Sequence, residues 1–200
     1  KNKRILFIGL SGYAYPHTRV RCYHFERELR KLGGVETEVL SYRDHLGPEF
    51  SEAEMYRLSD RQKLVLTARG FRHLWKEKGN LFYIQKAHFH SAAPYLLHRL
   101  GRNPYIFDYD DYDVELSNFF GRGLWNRVFF GSHRWDVITE QIARNSLCCV
   151  AASHELIDYL HEFHSEVHYI PTGVDCEAFR LKDYSAPSES PVVFLWNGIV

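Results

Sequence analysis

Short apolar runs alternate with stretches whose apolar residues recur every three or four positions, and this alternation runs through most of the chain. Residues 4–9, 81–84, 105–107 and 147–150 are apolar at nearly successive positions, the pattern of parallel strands covered on both faces. Val35, Thr37 and Val39 alternate with polar residues, as a half-covered edge strand does, and 167–170 gives a further strand. Between these, Cys22, Phe25, Leu29 and Leu32 form one helical face, opening near Thr18 and stopping at Gly33 and Gly34. Leu64, Ala68, Phe71 and Trp75 form a second helical stripe, closed by Gly79 and Asn80, and Ala93, Leu96, Leu97 and Leu100 a short third. Leu124, Val128, Gly131, Trp135, Ile138 and Ile142 are spaced by fours and threes, which predicts one long helix over roughly 120–145. Ser153 is placed to cap a helix carrying Leu156, Leu160 and Phe163. Residues 43–63, polar and poorly periodic, read as a mobile excursion. Strand and helix in alternation predict an α/β fold: a Rossmann-like parallel sheet with helices on both faces.

The pattern changes after residue 180. Residues 1–180 read as this Rossmann-like domain, and 181–191, rich in Ser and Pro, as a linker. The apolar run at 192–196 reads as a new strand, so 192–200 is expected to open a second domain that is truncated here.

Composition narrows the class without fixing it. The 200 residues are 45% hydrophobic and 25% charged with zero formal net charge, which fits a soluble globular protein and gives no reason to expect a nucleic-acid partner. Cys22, Cys148, Cys149 and Cys176 lack metal-ligand spacing and read as free thiols of a reducing compartment. No apolar segment has the length of a signal peptide core or a membrane span, so the expected location is cytoplasmic. An aromatic content of 16% leaves rings to spare for stacking on sugars or bases.

Chemistry-bearing residues gather directly after the predicted strands. In an open doubly wound sheet that edge is where ligands bind. After the first strand come Ser11, Gly12 and Tyr13, leading into a helix start whose amides suit a phosphate, with Arg19 and Arg21 close by. The loop lacks the dinucleotide fingerprint, which disfavours a dehydrogenase or flavodoxin-like domain. Lys86, His88 and His90 follow the third run, where the histidines could donate to sugar hydroxyls or phosphate. Asp108, Asp110, Asp111 and Asp113 follow the fourth; carboxylates crowded at a strand end repel one another and suit a site that meets cations, hydroxyls or a proton. Asp110 and Asp111 are the candidate catalytic pair. At strand spacing Asp108 and Asp110 share a face, but no third ligand accompanies them, so no metal is expected. Ser153 and Glu155 follow the fifth.

Taken in order, the Ser-Gly-Tyr loop with Arg-Val-Arg, "YIQKAHFHS", "YIFDYDD", "CVAASHELIDYL" and "VHYIPTGVDCEAF" resemble the amino-terminal half of GT-B glycosyltransferases, most nearly the family-4-like group. The resemblance implies a retaining enzyme that moves a sugar from a nucleotide sugar to a hydroxyl acceptor, without a cofactor or an obligatory metal. It implies an acceptor-binding role for these residues, with a carboxyl-terminal donor domain of the same protein as partner. Ser11, Gly12, Tyr13, Arg19, Arg21, His88, His90, Ser153 and Glu155 would bind substrate, and Asp110 and Asp111 would stand near the reacting sugar. Many relatives carry His where this chain has Tyr109, Asp110 and Asp111. The acceptor would be a glycan or a lipid-linked saccharide. A lipid-linked one would bring Phe119, Phe120, Leu124, Trp125, Phe129 and Phe130 to the inner face of a membrane. The rival expectation is a non-catalytic nucleotide- or glycan-binding module using the same crevice.

Overall fold

The computed structural model describes residues 4–112, 124–174 and 176. Among them six strands, β1 (Arg4–Gly9), β2 (Glu36–Ser41), β3 (Leu81–Gln85), β4 (Tyr105–Tyr109), β5 (Cys149–Ala151) and β6 (Val167–Tyr169), form one sheet. Every pairing is parallel and the order is β2-β1-β3-β4-β5-β6. Among the described residues the helices of seven residues or more that connect them are α1 (Phe25–Leu32), α2 (Asp60–Leu74), α3 (Ala92–Arg99), α4 (Leu124–Phe130), α5 (Trp135–Asn145) and α6 (His154–His161). The helical path into α1 begins at Pro16–Thr18 and passes through a π-helical turn, Arg19–His24.

Strand order and handedness together place the helices. Parallel crossovers are right-handed. The β1-to-β2 connection runs toward one edge and every later connection runs the other way, so α1 packs on one face and the later helices on the opposite one. The core divides accordingly. Phe7, Cys22, Tyr83 and Val150 pack with Phe25 and Leu29. Leu6, Ile8, Phe82, Ile84, Phe107 and Cys149 pack with Leu66, Leu97, Ile138 and Leu160. Cys149 and Val150 belong to different faces, as strand alternation requires. The α/β, Rossmann-like sheet expected from the alternating pattern is the fold observed.

Three expectations need correction. The helix predicted over 120–145 is two helices, because Gly131 takes a φ of 72° and ends α4; α5 starts afresh at Trp135. Its predicted residues 120–123 lie outside the described ones. In α2 the stripe Leu64, Ala68, Phe71, Trp75 is not the core face. Leu66, Thr67, Gly70 and Leu74 are buried, while Leu64 and Trp75 are 51% and 46% exposed and Ala68 is also outside. Gly70 explains the rotation: a Cβ there would collide with the Tyr42 hydroxyl, so the helix docks where it has no side chain.

Residues 43–63 are the third correction. They are not a loose excursion. Tyr42–Leu46 forms a π-helical turn, Ser51 and Glu54 form a capping box for the turn Glu52–Met55, and Leu46, Met55 and Leu58 enter the core. Ser153 caps α6 by accepting from Leu156 N at 3.3 Å, as expected. Leu32 is exposed, so the α1 stripe stops at Leu29. The linker 181–191, the strand run in 192–200, and Asp113, Phe119 and Phe120 lie outside the described residues. Among the described residues no helix is long and apolar enough to cross a membrane.

Candidate functional site

Connections leave β1 and β3 in opposite directions although the two strands are neighbours, so the switch point of the sheet lies between them. The residues following β1 and β3 therefore flank the crevice, and β4 supplies its next wall.

On the β1 side the chain fills its own loop. Gly12 N donates to Glu52 Oε1 and Oε2 at 3.0 and 3.2 Å, and Tyr13 N donates to Asp44 Oδ2 at 2.9 Å. Asp44 also accepts from the Tyr23 hydroxyl at 2.7 Å and from Arg43 at 3.1 Å. Burial pushes the Asp44 carboxyl up, but the Tyr23, Tyr13 and Arg43 donors outweigh it and hold it below the ordinary carboxylate value. For Glu52 burial prevails over the Gly12 amide and Arg43, and its carboxyl is held above the ordinary value. Amides that the sequence suggested for a phosphate thus meet two internal carboxylates. Ser11 is fully buried; its hydroxyl pairs with the Tyr56 hydroxyl at 2.9 Å, and Tyr56 in turn lies 3.0 Å from His17 Nε2.

The two arginines separate. Arg19 stays at the surface of the loop, donating to the Ala14 and Tyr13 carbonyls at 3.1 and 3.4 Å. Arg21 is fully enclosed. Its Nε donates to Asp108 Oδ2 at 2.8 Å, its Nη2 to Asp108 Oδ1, and its Nη1 to the Ile170 carbonyl at 2.7 Å. Burial works against both charges; it raises the Asp108 carboxyl to about 6 even with Arg21 opposing. Arg21 itself is held protonated, because the Asp108 hydrogen bonds more than offset its desolvation. Its guanidinium is committed inside the fold and does not face the crevice.

The β3 and β4 ends make the most concentrated chemistry. Lys86 adopts a φ of 63°, left-handed for a non-glycine residue, while its N still donates to the Asp108 carbonyl at 2.8 Å. Its ammonium lies 2.6 Å from Asp111 Oδ2 and 3.8 Å from Asp110 Oδ1, and Gln85 Nε2 donates to Asp110 at 3.2 Å. Asp110 is held above the ordinary carboxylate value by burial, with Lys86 opposing and Asp111 adding to it. The His88 ring stacks on Trp135 at 5.3 Å and 16°, and lies 5.9 Å from Tyr56. His88 Nδ1 and Gln85 Oε1 are buried at this corner without a hydrogen-bond partner. Burial lowers His88 well below the usual histidine value and brings His17 down to about 4, helped by Lys86. All of these imidazoles are neutral at pH 7.

The structure thus brings together Ser11, Gly12, His88, Asp110 and Asp111. His90 lies just beneath them, fully buried, with Nε2 2.9 Å from the Gln85 carbonyl and its value lowered by burial to about 3. Tyr13 and Arg19 are on the outer side of the first loop. Ser153 and Glu155 sit one strand further along the same edge, Ser153 occupied as a cap and Glu155 exposed. Sequence reasoning missed His17, Asp44, Glu52, Tyr56, Gln85 and Trp135. Gln85 directly follows an apolar run, so the strand-end rule could have found it; nothing periodic marks Asp44, Glu52 or Tyr56.

Among the described residues no group of three or more His, Cys, Asp or Glu side chains is arranged to hold a metal ion. A cavity of about 400 Å³ lined by Val20, Phe25, Lys31, Gly173, Val174 and Cys176 among others includes none of the rim residues and none of their paired carboxylates. Neither protein-family models nor curated proteins give a match to this chain.

Proposed function

We propose that this chain is the acceptor-recognising lobe of a retaining, nucleotide-sugar-dependent glycosyltransferase of the GT-B type. One observation carries the reading. At the switch point, where a nucleotide-binding sheet offers free amides to phosphate, Gly12 and Tyr13 already donate to Glu52 and Asp44. A second anion there would meet two carboxylates at close range. What the rim offers instead is Asp110, Asp111, neutral His88 and His17, and the rings of Tyr56 and Trp135, a set suited to the hydroxyls and apolar faces of a saccharide.

In this reading Asp110 accepts the proton of the acceptor hydroxyl, a task its raised affinity for a proton favours. Lys86 holds Asp111 and offsets the charge of the pair, so an approaching hydroxyl does not meet two uncompensated anions. The donor diphosphate is held across the cleft by a carboxyl-terminal domain, and the enzyme works on the cytoplasmic side, at the membrane surface if its acceptor is lipid-linked.

A non-catalytic module that binds nucleotide is the second reading, and the filled amides weigh against it. Tryptophan fluorescence, with Trp135 beside His88, tests both. Oligosaccharides should quench or shift it, and nucleoside diphosphates should compete weakly or not at all. Tight nucleoside diphosphate binding without saccharide binding would overturn the proposal. Sugar transfer by the full-length protein, abolished by Asp110→Asn, would separate the enzyme from a glycan-binding module.

A further inference from the structure

The apolar stripe of α2 that faces outward leaves an unusual surface. Along α2, Arg61, Leu64, Val65, Ala68 and Arg72 recur at helical spacing and all are exposed. Helix α4 lies beside it and adds Leu124, Arg127 and Val128, with Leu124 and Val128 72% and 73% exposed. The two helices border a groove of about 260 Å³ lined by Leu64, Leu124, Val128 and Phe129, and Asp60 fastens them by accepting from Leu124 N at 3.1 Å. The charge around it is one-sided. Exposed Arg61, Arg72 and Arg127 stand along it against Asp60, in a chain whose formal net charge is zero.

We propose that this face docks the protein on an anionic phospholipid bilayer. Exposed aliphatic side chains flanked by arginines match the two layers of a membrane interface, acyl boundary below and phosphate above. A nucleic acid fits the arginines alone, since the side chains exposed between them at the groove, Leu64, Leu124 and Val128, are aliphatic and Trp125 and Phe130 are buried. Tyr56, whose hydroxyl reaches Ser11 and His17, lies four residues before α2 begins, so docking brings the strand-end rim close to the bilayer. This deepens the lipid-linked form of the acceptor reading, but vesicle binding is measured without any turnover, so either can fail alone.

The test is co-sedimentation of the chain with phosphatidylcholine vesicles prepared with and without phosphatidylglycerol. Binding should require phosphatidylglycerol and weaken with added salt. Arg61→Gln and Arg72→Gln should each lower the partition coefficient about fivefold. Leu64→Asp with Val128→Asp should abolish binding while circular dichroism stays unchanged, because both positions are exposed. Equal binding to both vesicles, no binding to either, or sedimentation indifferent to these substitutions would overturn the proposal. Retention on a soluble polyanion or an acidic protein without vesicle binding would overturn it too.

Discussion

Asp108 and Asp110 stand two residues apart and each meets a cation, yet their pairs live in different media. Asp108 and Arg21 are closed off from water entirely, doubly hydrogen-bonded, with the spare guanidinium nitrogen on Ile170. Asp110 and Asp111 meet Lys86 at the rim, where Asp111 is exposed, the contact to Asp110 is 3.8 Å, and Gln85 supplies the remaining hydrogen bond. The inner pair satisfies itself and ties three elements together. The outer one is left with capacity for something else. A carboxylate's place relative to the end of its strand, more than its neighbours in sequence, decides between architecture and chemistry.

The largest expected effect breaks the inner pair. Arg21→Met should destabilise the fold by about 3–5 kcal/mol, because it strands a buried carboxylate. Arg21→Met combined with Asp108→Leu should recover most of that, and urea unfolding of both variants measures it. If the single change costs no more than a surface substitution, the contrast between the pairs collapses.

Acid should come next. His17, His88 and His90 have folded values below the ordinary 6.5, so the unfolded chain binds more protons as pH falls from about 6.5 to 4, and stability is lost in that window. Asp108, raised to about 6, works the other way between about 4 and 6 and offsets only part of it. Unfolding free energy should fall by on the order of 3 kcal/mol between pH 7 and pH 5. His90→Phe should flatten that slope.

Asp110→Asn sharpens the outer half of the contrast. Stability should move by less than about 1 kcal/mol, since burial already disfavours the charge, whereas saccharide affinity should fall at least about tenfold. Calorimetric titration read beside a melting curve separates the two. The smallest effect is a reversal of the usual order at Lys86. Glycine should exceed alanine in stability there by about 1 kcal/mol, because only glycine relieves the left-handed backbone.

The sheet was legible because its strands are apolar at successive positions, and the strand-end rule located Ser11, His88, Asp110 and Asp111 on one edge. Periodicity failed where a close contact outranked it. In α2 the choice of face is made by Gly70 under Tyr42, a contact 28 positions away that no local window contains. Gly131 fits the apolar spacing of 124–142 and yet ends a helix, because spacing says nothing about φ. Asp44, Glu52 and Tyr56 lie in a segment whose polarity looked like exposure; their partners are the Gly12 loop, and pairing across some 40 residues leaves no local signature.

The close seat of Glu52 against the first loop has a historical consequence. A Cβ at position 12 would collide with Asp44 Oδ1 and stand 2.6 Å from Glu52 Oε1, so a side chain can arise there only once both carboxylates have moved away. Any lineage that opened this loop to phosphate had to displace both acids first, and one that keeps them in place is held to its glycine. Position 12 can drift only after positions 44 and 52 have changed or moved.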